Sequence, residues 1–199
     1  MISIIGIGAG GHATVVIETL KAMNKYKIIG LLDMDEKLLN KEILGIPVLG
    51  SDKDMLKYFK KGIKHAFIGI GSVSDPKIRV EKYKSLLKHS YTIIDAIHPT
   101  AVISPSAQTG TGITVMAGAV INAEAVVGNN VILNTGSVVE HNCVIGDNVH
   151  MSPGVFLGGD VQIGENSHIG IGATIIQKIK ICHYQSKRQR NPGFRQMKF

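Results

Sequence analysis

The chain has no tryptophan, five phenylalanines and five tyrosines, and two cysteines in 199 residues. No apolar run reaches the ~18 residues that a membrane-spanning helix needs, and Met1 opens directly on a strand-like run without a basic leader. The expectation is a soluble, cytoplasmic chain with no membrane partner. Cys143 and Cys182 occupy places where a small apolar or turn residue is expected, so free thiols are read rather than a disulfide. The formal charge of +7 is confined to one end: seven basic residues and no acidic one lie from Lys178 onward, which leaves 15 of each sign before it. With the body neutral and no basic face carrying interleaved aromatics, nucleic acid is excluded as its partner.

What the chain does have is a period. Residues 101–184 divide into fourteen six-residue blocks without an insertion, and the third place of each block is apolar in thirteen of the fourteen, Thr109 being the exception. Six divides by the strand period of two and not by 3.6, so each block reads as a short strand and a turn. The first place is small or aliphatic, as at Ala119, Ala125, Ser137 and Cys143, which suits a side chain beside the anchor. Six of the fourth places are glycine, read as corners that need unusual backbone angles. Three blocks per coil make a parallel β-helix in which residues eighteen apart stack. His141 and Gly159 are such a pair, both at the fifth place, so an outward imidazole and a bare N–H share one small volume. His150 and His168 form another pair; with no third ligand at matching spacing they are read as groove or interface residues, and no metal site is expected.

The first 96 residues follow different rules. An apolar run at 2–7 ends in Gly6-Ile7-Gly8-Ala9-Gly10-Gly11 and precedes Val15, Val16, Thr19, Leu20 and Met23 at helical spacing. A strand, a glycine turn and a helix place unpaired N–H groups where a phosphate can sit. A second run, 28–32, ends at Asp33, where a carboxylate could accept from a ribose hydroxyl. Further on, 44–49 reads as extended and 52–60 as a helix capped by Ser51 or Asp52. A buried strand at 66–70 follows, then a helix at 75–88 with Ile78, Tyr83, Leu86 and Leu87 on its buried side, and a last strand at 92–96. This is a Rossmann-like α/β domain of one mononucleotide-sized unit. The pair His98-Pro99 then marks an extended crossover.

The segments GAGGH at 8–12, LLDMD at 31–35, IHPTA at 97–101 and LNTGSVVEHNCVIGDNVHMSPG from Leu133 resemble the bacterial hexapeptide-repeat acyltransferases that acetylate sialic acid or nucleotide-linked amino sugars. The resemblance implies a left-handed β-helix at 97–184, a homotrimer and acetyl-CoA as co-substrate. It implies that His141 is the general base, that the Gly159 N–H supports the tetrahedral intermediate, and that Asn134 and His150 line the substrate and cofactor groove. His12 is expected to reach the active site, and Gly8, Gly10, Gly11, Asp33, Asp35 and Gly71 to hold the nucleotide-sugar. Ile169, Gly170 and Ala173 are assigned with His150 and Gly159 to coenzyme A. Where the family often has an acidic residue after its base, this chain has Asn142, which leaves Glu140 or a backbone carbonyl to orient the imidazole.

After Ile181 the anchor places fall on Lys187, Gly193 and Phe199, and the composition turns basic and polar. Residues 185–199 are read either as a tail with an anionic partner or as the product of a frame shift that replaced the last coils and impaired activity. Two rival functions stay open: a trimeric scaffold without activity, and a nicotinamide-dependent oxidoreductase built on the glycine turn and Asp33.

Overall fold

The computed structural model describes residues 1–72 and 75–182. The basic tail and both readings of it lie outside the described residues. Among the described residues no helix is long and apolar enough to cross a membrane.

The N-terminal sheet consists of β1 (Ile2–Ile7), β2 (Tyr26–Leu32), β3 (Glu42–Ile43), β4 (Ile46–Gly50), β5 (His65–Ile68) and β6 (Thr92–Ile93), in the order β3-β4-β2-β1-β5-β6. The central β1 runs parallel to β2 and β5 and is apolar without alternation because both of its faces are covered. Ile4 meets α1 (Gly11–Met23) through Ala13, Val16 and Leu20, while Ile5 and Ile7 share the opposite core with Met55, Tyr58 and Leu86. The expected 44–49 strand is broken at its start, since Leu44 and Gly45 have φ of 52° and 76° and turn β3 back on β4. A capping box between Ser51 and Asp54 opens the 3₁₀ turn Asp52–Asp54, which leads into α2 (Met55–Lys60).

Two expectations fail for tertiary reasons. The 92–96 strand is divided: β6 joins the N-terminal sheet, whereas β7 (Ala96–Ile97) starts the β-helix by pairing with Thr114 and Val115. Helix α3 (Lys77–Lys88) buries Arg79 and Leu86, and leaves Ile78 and Leu87 in solvent. Carbonyl groups at the end of β5 need donors there, and an arginine supplies them where an isoleucine cannot.

From β7 to β21 (Lys180–Ile181), fifteen two-residue strands wind a left-handed parallel β-helix with three faces of five strands. The first face stacks strands starting at Ala96, Thr114, Ile132, His150 and His168; the second, at Val102, Val120, Val138, Phe156 and Thr174; the third, at Gln108, Val126, Val144, Gln162 and Lys180. Pairing is in register at eighteen residues, as in Thr114 with Ile132 and His150 with His168. Third-place anchors and first-place residues fill the interior from Ile113 to Ile169.

The corners correct the reading of the glycines. Every sixth place from Gly112 to Lys178 has φ between 56° and 69°, and glycine, asparagine, aspartate, glutamate and lysine all serve there. Four of the fourth-place glycines are needed for closeness: a Cβ on Gly110, Gly128, Gly146 or Gly158 would come within 2.8 Å of a backbone nitrogen in the next coil, whereas one on Gly170 would meet nothing within 4 Å.

Candidate active site

A cavity of about 450 Å³ opens at the carboxyl ends of β1, β2 and β5. Gly8, Gly10, Gly11, His12, Asp33, Asp35 and Gly71 all line it, together with Asp52, Ile70, Ile78 and Lys82. Gly8 has φ of 97°, and a Cβ there would meet Ile70 at 2.5 Å. The N-terminus of α1 has no side-chain cap and no acidic residue in its first turn, and a Cβ on Gly10 or Gly11 would meet nothing within 4 Å. Unpaired donors in open space at a helix N-terminus suit an anion. Asp33 fastens the turn: one carboxylate oxygen accepts from Ala9 N at 2.7 Å and the other from Asp35 N at 2.8 Å, so a ribose hydroxyl would share an occupied acceptor. An ion pair between Lys82 and Asp52 flanks the same cavity.

The second constellation stands at the corner between the second and third faces. His141 is exposed and its ring covers the α-carbon of Gly159, where a Cβ would lie 2.6 Å from both Cε1 and Nε2. The N–H of Gly159 makes no hydrogen bond with the described residues. Glu140 does not reach the imidazole; its Oε2 accepts from Asn122 Nδ2 at 3.0 Å and from the His141 backbone N at 3.3 Å. The side chain at the ring is Asn142, whose amide is 3.3 Å from Nδ1. The atom at the ring is Nδ2; a flip of the amide, which exchanges it for the oxygen, would let Asn142 accept Nδ1–H and leave Nε2 free as a base. Asn142 has φ of 59°, so this corner also requires a residue that tolerates left-handed backbone. Beneath it, Cys143 is buried, donates to the Gly158 carbonyl at 3.2 Å, and has its thiol pKa pushed up by burial. Neither cysteine is in a disulfide.

A third group lies in the seam where the first face meets the N-terminal domain. His150 is buried, its Nδ1 accepts from Ser72 N at 3.4 Å, and its ring centroid is 6.2 Å from that of His12 and 5.2 Å from that of His168. His168 Nε2 is 2.9 Å from Ser152 Oγ. Burial first, then the charge of Arg79, lowers the His12 pKa to about 3. Burial first, then the neighbouring His168, lowers that of His150 to about 4. Both are neutral at pH 7. Among the described residues no cluster of three or more His, Cys, Asp or Glu could hold a metal ion.

Some assigned residues are not brought together. Ile169 and Ala173 pack against the interior of the coil, as third- and first-place residues must, with Ala173 half-buried and Gly170 exposed. Asn134 is half-buried at the end of a first-face strand and accepts from Thr135 N at 2.8 Å. Within one chain, the cavity and the seam adjoin the first face, while His141 occupies the corner between the other two. Arg79 was missed altogether; the available signal was its spacing, since Arg79, Tyr83 and Leu86 follow a helical stripe.

The profile of the PglD N-terminal domain matches residues 3–86, and that of the bacterial transferase hexapeptide (six repeats) matches 124–159. No curated protein matches the chain. Among solved structures, PerB from Caulobacter crescentus, in complex with CoA and GDP-perosamine, is 37% identical with a TM-score of 0.84, over 91% of this chain and 83% of that one. The acetyltransferase domain of PglB from Neisseria gonorrhoeae, in complex with acetyl coenzyme A, is 34% identical with a TM-score of 0.83, over 92% and 85%. WeeI from Acinetobacter baumannii, at 19% identity and a TM-score of 0.62, shares the fold. With two thirds of its length exceeded in relatives above 30% identity, and with a glycine-turn domain feeding a six-residue β-helix, the chain belongs to the hexapeptide-repeat nucleotide-sugar acetyltransferases.

Proposed function

We propose that this chain transfers an acetyl group from acetyl-CoA to the amino group of a nucleotide-linked sugar. The observation that carries the reading is the His141–Gly159 corner: a solvent-facing imidazole lying where a Cβ on Gly159 would be, beside an N–H without a partner among the described residues. In the reaction the amine attacks the thioester carbonyl, His141 Nε2 takes the proton, and the Gly159 N–H meets the developing oxyanion. Collapse of that intermediate expels the coenzyme A thiolate and leaves the amide. Asn142 orients the ring, and Glu140 holds the corner through Asn122 and the backbone.

The cavity receives the nucleotide, with phosphates at the start of α1 and His12, Asp35 and Gly71 in its wall. Of the two acceptor classes that the sequence resemblance allows, the nucleotide-linked amino sugar is favoured over sialic acid by this cavity and by the GDP-perosamine held in PerB. Since His141 and the cavity lie on different sides of one prism, the working site is completed between neighbouring copies of a homotrimer. The outward residues Val102 and Phe156 on the second face, and Val126 and Val144 on the third, supply exposed apolar surface for that packing. Groove residues Asn134, His150 and Gly170 adjoin coenzyme A. A cytoplasmic location accompanies acetyl-CoA as donor.

Acetyl transfer to a panel of UDP- and GDP-linked amino sugars, read by mass spectrometry, tests the reading, with sedimentation for the trimer. One acetylated amino sugar from a trimeric protein is expected. Binding of coenzyme A without product from any member of the panel would overturn the acceptor class, and a monomer at micromolar concentration would overturn the shared site.

A further inference from the structure

Arg79 connects parts of the molecule that are far apart in sequence. Its Nη1 donates to the carbonyls of Ile70 at 2.7 Å and Ile68 at 3.2 Å, on either side of Gly69 in the cavity wall. Its Nε donates to the carbonyl of Asn130, 51 residues on, at 3.4 Å. Asn130 is the head of an amide ladder along the edge beside the first face: its Nδ2 donates to Asn148 Oδ1 at 2.9 Å, and Asn148 Nδ2 to Asn166 Oδ1 at 3.1 Å. The same wall is tied to that face again by Ser72 N on His150, and His12, which packs against Gly71, brings its ring centroid to 6.2 Å from that of His150.

Arg79 is 1% exposed, and its guanidinium is paired with no carboxylate among the described residues. Burial lowers its pKa to about 9, so it remains a cation at neutral pH. A buried cation without a counter-ion is poor as a source of stability, and an apolar side chain of similar volume is often as good or better. What the fork provides, and an apolar chain cannot, is directed bonds to three carbonyl oxygens on two separate elements.

We propose that Arg79 is a positioning residue whose fork holds the 68–71 wall of the cavity in register with the β-helix edge at Asn130, and so fixes where the bound nucleotide-sugar is presented. The presentation rests on the function proposed above; the tether does not.

Hydrogen exchange on the full chain separates the two, using Arg79→Lys, which keeps the charge and loses the fork, and Arg79→Met, which keeps the volume and loses both. Exchange in segments 66–72 and 128–133 should quicken together in each variant, by about tenfold, the scale of one lost charge-assisted bond, with β1 unchanged. Titration with UDP, GDP and CoA is the second readout. Whichever nucleotide binds the parent should bind Arg79→Lys about tenfold more weakly, while CoA affinity stays within about twofold. In turnover, KM for the sugar should rise more than kcat falls. Unchanged exchange, or quickening of α3 or of one segment alone, overturns the tether. Equal losses for nucleotide and CoA overturn the positioning role. A parent that binds neither nucleotide, with both segments still released in the variants, counts against the proposed function and leaves the tether standing.

Discussion

His141 and His150 stand nine residues, half a coil, apart on the same β-helix, and their surroundings oppose each other. His141 follows a second-face strand at an open corner, with its ring over a glycine and its Nδ1 beside one amide. His150 lies in a first-face strand under the N-terminal domain, with Ser72 on its Nδ1 and two other imidazoles beside it. The six-residue period gives both an outward place; what separates them is whether another domain covers that face. A covered imidazole loses the water that stabilises its charged form and stays neutral, as His12 and His150 do.

The largest expected effect lies on the open side of this contrast. His141→Ala should lower kcat by about 10²- to 10⁴-fold, the usual range for a general base, with CoA affinity and Tm little changed. Steady-state rates of acetylation of the amino sugar check it, and near-parental turnover would end the assignment.

On the covered side the effect is on stability against pH. His12 and His150 protonate near their ordinary 6.5 when unfolded, and at about 3 and about 4 when folded. Between these values the unfolded chain binds more protons, so stability must fall as pH drops below 6.5 and level off only near the folded values. Each group adds a slope of up to ~1.4 kcal/mol per pH unit in that window. Melting curves from pH 7.5 to 4.5 should show the decline, and His150→Gln should make it shallower; an identical slope in the variant would place His150 outside the covered class.

A third test moves the corner without touching the histidine. Gly159→Ala puts a methyl where the ring now lies, so kcat should fall by about 10- to 100-fold, consistent with the sensitivity of catalysis to displacements near 1 Å. Its Tm should change by less than that of Gly128→Ala, whose Cβ would press on the backbone of the next coil at a typical overpacking cost of about 1–3 kcal/mol. Smallest of all is Gly136→Asn at a sixth place, expected within about 1 kcal/mol because asparagine tolerates left-handed backbone. Comparable losses at Gly128 and Gly136 would restore the reading of fourth-place glycines as torsional.

Much of the β-helix was legible because its contacts repeat. Anchors such as Val139 and Leu157 stack eighteen residues apart, so periodicity in the chain is contact in space, and His141 over Gly159 follows from counting. The N-terminal half was legible where the signal is local: the glycine turn, Asp33 at the end of β2, the cap at Ser51. It failed at Ile78, Leu87 and the split 92–96 strand, where partners come from other elements. Asn142 at the ring, in place of Glu140, also needed coordinates, since side-chain direction at a corner depends on the turn it occupies.

The sequence by itself therefore determined the coil, its register and the meeting of His141 with Gly159, because a period of six admits one stacking of strands and fixes which residues are neighbours. Only the tertiary structure decided which face the N-terminal domain covers. That docking neutralises His12 and His150, buries Arg79 against three carbonyl groups, and sets the cavity on a different side from His141. Burial and desolvation arise between elements far apart in the chain, and no local pattern of residues encodes them.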